Sequence, residues 1–354
     1  MPSPTDIVST ANAERPFFLG VDVGGTNIKV GVLDNQGHTV GRMQIPTDEE
    51  RGVADAMRRS KTAADELLNS IQVDWDEVAA VGLGTPGSMD ISKGLILQPP
   101  NMPTWRNYPI VKELSEACGK PVSYANDANA AAYGEYWIGG ARDFNSMIML
   151  TLGTGVGGGI IYEGVSIDGA NSFGSECGHM YIDSSPDARL CVWGGGKGQL
   201  EAYASASAVV ARAQEALDAG RRSSLNDRVD RAALTSLMIY EEAEAGDELS
   251  MEIILETARY LAIGVTTLVH IIDPGVVILG GAMDFGGNAS QTGRRFIAEV
   301  RREFKRLAYH SVADTTTIDY AILGGHAGYI RAAGIARTAW LKQNAATGRA
   351  GNYR

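Results

Sequence analysis

Two segments of the chain share one order of apolar and glycine-rich positions. Residues 17–33 form two apolar runs separated by Gly24-Gly25-Thr26, and residues 147–162 form two apolar runs separated by Gly153-Thr154-Gly155. Short apolar runs bounded by turn residues are typical of β-strands joined in a hairpin. The pattern therefore predicts two hairpins with glycine turns, and it indicates an internal duplication into two lobes.

Helical and strand-like patterns alternate along the rest of the chain. In the first half they predict helices at about 51–70, 109–118 and 128–137, and strands at 78–83 and 122–124. In the second half they predict helices at about 199–217, 247–272 and 326–342, and a buried strand, Val276–Leu279, that ends in Gly280-Gly281. Strands that alternate with helices indicate an α/β fold.

Length and the first residues suggest how the chain is divided. At roughly 150 residues per domain, 354 residues indicate two domains. Residues 1–15 are polar and lack an apolar period, so we expect a disordered leader and order from about Pro16. The predicted domains are a small N-terminal one over 16–138 and a large C-terminal one over 139–354, with the closing helix at about 326–342 able to pack back on the first.

Composition narrows the classes of partner. Lys and Arg number 31 while Asp and Glu number 42, so the net charge is −11 and offers no basic surface to nucleic acid or to an anionic membrane. Three cysteines cannot form a disulfide framework, and the first residues contain no apolar signal segment. The most apolar long stretch, residues 261–272, is shorter than the ~20 residues of a membrane span. We therefore expect a cytoplasmic protein with a small-molecule partner.

Each glycine turn follows an apolar strand, where backbone N–H groups can approach a phosphate without a steric barrier. A tight hairpin without any ligand also explains each turn taken alone. Neither G-x-x-x-x-G-K-[ST] nor a G-x-G-x-x-G that opens a helix is present, so the two commonest nucleotide-binding folds lose support.

Taken together, the motifs resemble a known set. Asp22-Val23-Gly24-Gly25-Thr26, the Gly153 hairpin and Leu279-Gly280-Gly281 resemble the two phosphate loops and the adenosine loop of the actin/hexokinase-like ATPases. Further motifs resemble, in order, those of the ROK family of sugar kinases and repressors: Gly84-Thr85-Pro86-Gly87, Asn101-Met102-Pro103, the stretch from Asn126 to Glu135, and Gly169-Ala170-Asn171 leading to Glu176-Cys177-Gly178-His179. The match spans about residues 17–335. It implies a two-lobed, ribonuclease H-like α/β fold with the active site in the cleft between the lobes.

The resemblance also implies MgATP as the phosphoryl donor, with Mg²⁺ held through the ATP phosphates near Asp22. The residues that it implies for the nucleotide belong to the glycine turns and the first hairpin: Asp22, Gly24, Gly25, Thr26, Lys29, Gly153, Thr154, Gly155, Gly280 and Gly281.

Phosphoryl transfer to a hydroxyl needs one group that accepts the hydroxyl proton. Asp127 follows Asn126 and begins the alanine-rich predicted helix, where the helix dipole favours an ionised carboxylate. From spacing alone, Asp127 could equally be an N-cap. The matching position of the ROK family is the general base that takes the proton of the sugar 6-hydroxyl, so the resemblance implies a catalytic role for Asp127.

A selective sugar site needs several buried hydrogen-bonding groups that an analogue would leave unpaired. The resemblance implies sugar contacts for Gly87, Asn101, Asn126, Asp127, Glu176, His179 and Glu201. The other histidines match no motif and are expected to be ordinary core or surface residues: His38, His270, His310 and His326.

One segment departs from the family pattern. Most ROK proteins carry a structural zinc bound by the histidine of Glu-x-Gly-His and by three cysteines of a Cys-x-Cys-Gly-x-x-Gly-Cys loop. Here His179 and Cys191 match, but Trp193 occupies the second cysteine position and, with one inserted residue, Gln199 the third. Two ligands do not close a four-coordinate site, and Cys177 is expected to be a small buried side chain. We therefore expect no zinc, and a loop held by packing around Trp193 and by glycine turns.

These features predict a kinase of the glucokinase type that uses ATP to phosphorylate a hexose, glucose first, at the 6-hydroxyl. Kinases for fructose, N-acetylmannosamine or N-acetylglucosamine remain alternatives, because the pocket around the sugar 2-position cannot be determined from the sequence. A sugar-sensing regulator without catalysis is a third possibility. Three features argue against it: the negative net charge, the presence of Asp127, and residues 1–15, which are too few for a DNA-binding helix-turn-helix domain. The resemblance implies a homo-oligomer, either a dimer or a tetramer.

Overall fold

The computed structural model describes residues 6–99, 101–191, 195–229, 233–324 and 328–346. The chain forms two compact units. Unit 1 comprises Met1–Asp143, Ser166–Gly174 and Ile322–Arg354, and unit 2 comprises Phe144–Val165 and Ser175–Ala321. The last segment of the chain, which the predicted boundaries include in the domain 139–354, belongs to unit 1.

Unit 1 contains a five-stranded sheet and a small hairpin. Its strands are β1 (Phe17–Val23), β2 (Asn27–Leu33), β3 (Thr39–Pro46), β4 (Val78–Thr85), β5 (Ser88–Asp90), β6 (Leu95–Gln98) and β7 (Val122–Asn126). The order in the sheet is β3-β2-β1-β4-β7, in which β1, β4 and β7 are parallel and β2 is antiparallel to both of its neighbours. β5 and β6 pair separately. The helices that follow these strands are α1 (Val53–Ser70), α2 (Ile110–Cys118) and α3 (Asp127–Trp137).

The sheet of unit 1 is buried on both faces. Side chains alternate between the faces of a strand, and in β1 the odd-numbered residues from Phe17 to Val21 join one core while Phe18 joins another. In α1, Met57, Ala64 and Leu68 recur at helical spacing and are buried in the first of these cores. The apolar runs of the strands are therefore continuous rather than alternating.

Unit 2 repeats the strand order of unit 1. Its strands are β8 (Met147–Leu152), β9 (Val156–Tyr162), β10 (Val165–Ser166), β11 (Val276–Gly280) and β12 (Thr317–Tyr320). The order is β10-β9-β8-β11-β12, with β8 antiparallel to β9 and parallel to β11, which is parallel to β12. Its helices are α4 (Glu201–Ala204), α5 (Ala206–Asp218), α6 (Leu225–Val229), α7 (Ser236–Glu244), α8 (Glu248–Ile272), α9 (Gln291–Leu307) and α10 (His310–Thr315). The duplication predicted from the two hairpins is thus present as two sheets of the same topology.

The last helix, α11 (Gly328–Ala346), packs closely on the sheet of unit 1. A Cβ at Gly20 of β1 or at Gly82 of β4 would overlap the backbone of α11 at Tyr329 or Ala332. Glycine at these two positions therefore permits the approach. The apolar side chains buried between helix and sheet include Phe18, Leu33, Ala80, Ile330, Ala333 and Ala336.

The N-terminal segment is ordered earlier than the sequence predicts. The Val8 N–H donates to the Thr39 carbonyl at 2.9 Å, and the Glu14 side chain accepts hydrogen bonds from the amides of Asn35 and Gln36. The prediction of a disordered leader over residues 1–15 is therefore wrong for residues 6–15, because polar groups of this segment find partners around the turn after β2. Residues 1–5 lie outside the described residues.

The long helix predicted at about 199–217 is two helices. Ser205 lies between α4 and α5 in an extended conformation, with φ −90° and ψ 165°. Its hydroxyl accepts a hydrogen bond from the Ala208 N–H at 3.1 Å, which makes it the N-cap of α5. The other predicted helices and strands are confirmed within a few residues, except that the predicted start at 326 falls outside the described part of the chain.

Among the described residues, α8 alone is long and apolar enough to cross a membrane by length and composition. Of its most apolar stretch, 61% is buried inside the protein, as in the core helix of a globular unit.

Candidate functional site

Several predicted site residues lie at one edge of the sheet of unit 1. In the register of the parallel strands, Asp22 aligns with Gly84 and Thr85 aligns with Asn126. Asp127 follows directly as the first residue of α3. Because the carboxyl ends of parallel strands meet at one edge, Asp22, Asn126 and Asp127 are brought to the same side of the unit, where α/β folds bind their ligands.

Asp22 lies against two glycines. Its Oδ1 is 3.6 Å from the position that a Cβ of Gly84 would take, and a Cβ at Gly328, the first residue of α11, would overlap the carboxylate. The start of a helix favours a negatively charged group. The carboxylate is therefore held between the end of β4 and the beginning of α11.

The first glycine turn, Gly24-Gly25-Thr26, is braced on one side and open on the other. The Gly24 N–H donates to the Asn27 carbonyl at 2.9 Å, and the Thr47 hydroxyl donates to the Gly24 carbonyl at 2.7 Å. A Cβ at Gly25 would meet no atom within 4 Å. Hydrogen bonds fix this turn at Gly24, while the space beside Gly25 is open. Such a turn suits a phosphate group.

Lys29 lies opposite Asp22 in the β1–β2 ladder. It lines a cavity of about 390 Å³ together with Arg42, Gln44 and Tyr329. Lys29, which the family resemblance assigns to the nucleotide, is thus accessible to a ligand.

Gly87 and Asn101 flank the same end of the β5–β6 hairpin, because Ser88 pairs with Gln98. Both residues have positive φ, 85° for Gly87 and 60° for Asn101. Glycine and asparagine are the residues that most readily adopt this conformation. Gly87 directly precedes β5, and Asn101 follows the end of β6 at the same end of this hairpin.

Near β7, a buried pair of hydroxyls supports the strand that carries Asn126. The Thr85 hydroxyl and the Tyr124 hydroxyl are 2.7 Å apart. Burial raises the pKa of Tyr124 to about 12, so this phenol stays protonated and acts as a structural hydrogen-bond partner.

In unit 2, the two other glycine turns contact each other. Gly281 has a φ of 102°, and a Cβ there would collide with the backbone of Leu152, the residue before Gly153. The Met283 N–H donates to the Leu152 carbonyl at 2.9 Å. The turns at Gly153 and at Gly280-Gly281 therefore lie against each other in unit 2.

The beginning of α5 supports the turn at Gly153. The Ala206 N–H donates to the Gly153 carbonyl at 2.8 Å, and the Ser207 hydroxyl donates to the Thr154 carbonyl at 2.9 Å. The break at Ser205, which the sequence analysis missed, thus places a helix start directly against the second glycine turn.

Glu176 and His179 lie at the two ends of a single helical turn. Glu176 Oε2 is 4.0 Å from His179 Nε2, and both side chains are half-exposed. On the other side of the ring, His179 Nδ1 is 3.3 Å from Gln199 Oε1. Cys177 between them is buried, as predicted, and burial raises the pKa of its thiol to about 12.

Glu201 is buried, and both of its oxygens accept hydrogen bonds. Oε2 accepts from the Val156 N–H at 2.9 Å, and Oε1 accepts from the Cys191 thiol at 2.8 Å. The Leu200 N–H donates to the Met180 carbonyl at 2.8 Å, which joins the segment of Glu201 to that of His179. The three sugar contacts predicted in this unit are therefore carried by two segments bonded to each other.

The donors of this loop do not fit a structural zinc. The Cys191 thiol is directed to Glu201, and His179 Nδ1 to Gln199. Among the described residues, no group of three or more His, Cys, Asp and Glu side chains is arranged to hold a metal ion, whereas structural zinc takes four ligands. The prediction that the loop packs around Trp193 falls outside the described residues, and the absence of zinc stays a prediction.

Sequence reasoning missed two residues that organise the loop. In the sequence, the only signal at Gln199 is that it stands at the position of a family cysteine. Tyr203 gave no signal: its hydroxyl accepts from the Arg189 N–H at 2.8 Å and donates to Asp183 at 2.5 Å, which ties the loop to α4.

Comparison with known proteins agrees with this architecture. A sequence model of the ROK family matches residues 18–339, and the chain belongs to that family. The chain is 32% identical over 315 residues to a glucokinase of Halalkalibacterium halodurans, which covers 89% of this chain and 93% of the relative.

Solved structures give the same result. The ROK hexokinase from Thermus thermophilus superposes with a TM-score of 0.75 at 32% identity over 90% of this chain and 97% of its own. A ROK family glucokinase from Streptomyces griseus in complex with glucose and AMPPNP superposes with a TM-score of 0.66 at 30% identity, and the match covers 91% of this chain and 99% of the glucokinase. The fold is the actin/hexokinase-like α/β fold that the motifs predict.

The family also contains proteins of another kind. A protein named as a putative xylose repressor, from a Caldicellulosiruptor species, is 30% identical over 303 residues and covers 86% of this chain and 73% of its own length.

Proposed function

We propose that this protein is a sugar kinase that transfers the γ-phosphoryl group of ATP to the 6-hydroxyl of a hexose, with glucose as the preferred acceptor. The observation that carries the proposal is the edge of the unit 1 sheet, where Asp22 and Asp127 lie at the carboxyl ends of parallel strands beside an open glycine turn. The ROK glucokinase whose structure holds glucose and AMPPNP supports the choice of both substrates.

In the proposed reaction, Asp127 accepts the proton of the sugar 6-hydroxyl. The hydroxyl oxygen forms a bond to the γ-phosphorus, the bond from that phosphorus to the β–γ bridging oxygen breaks, and ADP leaves. As the first residue of an 11-residue helix, Asp127 lies where the helix dipole favours a carboxylate that is ready to accept a proton.

The family resemblance assigns the nucleotide to the three glycine turns. The open turn at Gly24-Gly25-Thr26 provides backbone groups in unit 1, and the adjacent turns at Gly153 and Gly281 provide them in unit 2. Mg²⁺, held near Asp22, would neutralise charge on the phosphates. No residue is required to form a covalent intermediate.

The hexose is assigned to Asn126 and Asp127 of unit 1 and to Glu176, His179 and Glu201 of unit 2. A carboxylate accepts hydrogen bonds only, so Glu176 and Glu201 each bind a donating hydroxyl. A sugar that lacks or inverts one of these hydroxyls leaves a polar group unpaired and is rejected. By family resemblance the protein also assembles as a dimer or tetramer.

A coupled assay of ADP formation with a panel of hexoses tests the proposal. The panel contains glucose, fructose, mannose, N-acetylmannosamine and N-acetylglucosamine, and ATP without sugar is the blank. We expect the highest kcat/KM with glucose. A higher value with an N-acetyl sugar or fructose would transfer the assignment to that sugar.

A regulator that binds sugar without phosphorylating it is the second candidate, because of the repressor-named relative. Calorimetry separates the two. Sugar binding with no turnover of any hexose would favour the regulator, whereas turnover of one hexose excludes it.

A further inference from the structure

The last strand of the unit 2 sheet, β12, has one side without a neighbouring strand. The N–H groups of Thr317 and Ala321 donate to carbonyl groups on the β11 side, at 3.0 and 2.8 Å. Because alternate residues of a strand bond to the same neighbour, the backbone groups of Ile318 and Tyr320 point to the free side. A row of unpaired backbone groups can accept a strand from another chain.

Two side chains bond to these outward groups. The Arg301 guanidinium, on α9, donates to the Ile318 carbonyl from Nε at 2.8 Å and from Nη2 at 2.6 Å. The Tyr320 N–H donates to Asp319 Oδ1 at 2.8 Å. Arg301 Nη2 lies 3.4 Å from the same Asp319 oxygen, so the two side chains also form an ion pair.

This pair has the bonding pattern of one residue of a further strand. In a parallel pair, a residue of the neighbouring strand donates its N–H to one carbonyl and accepts, on its own carbonyl, the N–H two residues later. Here the guanidinium takes the place of that N–H, and the carboxylate takes the place of that carbonyl. We propose that Arg301 and Asp319 together close the β12 edge to strand pairing with a second copy of this chain, so that the homo-oligomer implied by the family resemblance forms through other surfaces.

The two edges of this sheet differ in length. At the other edge, β10 has only Val165–Ser166, whereas β12 has the four residues Thr317–Tyr320. A very short edge strand is a poor template for pairing, and charged side chains at an edge prevent the pairing of a longer one. The longer of the two edges is therefore the one that carries the ion pair.

The sequence of β12 favours pairing once the charges are removed. Six of the eight residues 315–322 are Thr, Ile or Tyr, and Asp319 is the only charged one. Segments rich in β-branched and aromatic residues, with low charge and without proline, pair readily with copies of themselves. Asp319 is thus the single charge that interrupts such a segment.

The edge is also accessible. The side chains of Arg301 and Asp319 are 45% and 47% exposed. A cavity of about 210 Å³ beside the strand is lined by Arg301 together with Phe304, Lys305 and Ala313. Side chains of an added strand would enter this space once Arg301 is shortened.

Sedimentation velocity of the full chain over a wide range of concentration tests the proposal. We expect Arg301→Ala, and still more the double variant with Asp319→Ala, to shift mass from the wild-type species to larger ones as the concentration rises, at temperatures well below unfolding. Arg302→Ala is the matched control, because it removes the same charge from the same helix while the described bonds of Arg302 are to Glu299 and Glu303. This control should sediment like the wild type.

A peptide identifies the surface that associates. A fluorescent peptide of residues 315–322 should bind to Arg301→Ala in a saturable way, as measured by anisotropy. It should bind roughly tenfold or more weakly to the wild type and to Arg302→Ala, because there it must first displace hydrogen bonds to a charged group. A peptide of the same composition in scrambled order is the control.

If Arg301→Ala is too unstable to purify, Asp319→Ala, which frees the Tyr320 N–H, takes its place in both measurements. Unchanged sedimentation of the variants of Arg301 and Asp319 overturns the proposal. So does equal association in Arg302→Ala, and so does binding of the peptide to the wild type as tightly as to the variants. Both measurements are made without sugar or nucleotide, so their outcome does not depend on the hexose panel.

Discussion

The acidic residues of the site differ in their surroundings, and so do their proposed tasks. Glu201 is buried with both oxygens occupied, whereas Glu176 is half-exposed beside His179. Asp127 lies at a strand–helix junction. A buried carboxylate that accepts one hydrogen bond on each oxygen is fixed in place and keeps lone pairs for recognition of a hydroxyl, and a carboxylate at a helix start is suited to proton transfer.

Replacement of Asp127 tests this division of tasks at the residue scale. Asp127→Ala should lower kcat by roughly 10²-fold or more, the usual scale for loss of a general base, while sugar affinity changes by less than about tenfold. The coupled assay gives kcat and calorimetry gives affinity. Asp227→Ala, an exposed acid on α6, should change neither, and an unchanged kcat in Asp127→Ala would remove the base from the mechanism.

At the scale of elements, the start of α5 links a helix cap to the second glycine turn. Ser205 caps α5, and the first residues of the helix bond to the carbonyls of Gly153 and Thr154. Fraying of this helix start would therefore loosen a turn that we assign to the nucleotide.

Ser205→Ala should cost about 1 kcal/mol of stability through the lost cap, and it should also raise the KM for ATP. Thr235 is the corresponding cap of α7, and its hydroxyl accepts a hydrogen bond from the Met238 N–H at 3.2 Å. Thr235→Ala should cost a similar amount of stability without a change in the KM for ATP. Denaturant titration and steady-state kinetics measure the two quantities. Equal KM values in the two variants would show that the cap only stabilises the unit.

Helices and strands could be predicted where the sequence pattern within the element determines them. Hydrogen bonds between residues distant in the chain could not be predicted. The 25-residue helix α8 was predicted within a residue, because its apolar period is carried by its own sequence. The break at Ser205 and the order of residues 6–15 depend on single hydrogen bonds, some to residues far along the chain. Within the site, the positions of the glycine turns were predictable, but the bond from Gln199 to His179 was not, since side-chain pairing across a loop leaves no periodic trace.

At the scale of the whole molecule, carboxylates that are hydrogen-bonded to basic side chains contribute to the stability of the protein in acid. A hydrogen bond from Arg302 lowers the pKa of Glu299 from 4.5 to about 2, and one from Lys93 lowers the pKa of Asp90 from 3.8 to about 2. When the folded pKa is depressed, the unfolded chain binds protons first. The stability that these two carboxylates contribute is therefore present above their pKa values in the unfolded chain, and it is lost as the pH falls towards their pKa values in the folded protein.

We accordingly expect the thermal midpoint to fall as the pH is lowered from about 4.5 to 2. Glu299→Gln, which cannot titrate, should start from a lower midpoint at neutral pH and lose less over the same interval. Calorimetry at several pH values measures both. Parallel curves for the wild type and Glu299→Gln would show that this carboxylate does not contribute to acid sensitivity.

The contact of α11 with Gly20 and Gly82 has a consequence for the chain as it leaves the ribosome. The helix that covers one face of the first sheet is translated after all of unit 2. Until then, Phe18, Leu33 and Ala80 have no partner from α11, and nascent chains with uncovered apolar surface are prone to aggregate. Unit 2 can complete its core first, and the earliest-made strands of the protein are the last to be enclosed.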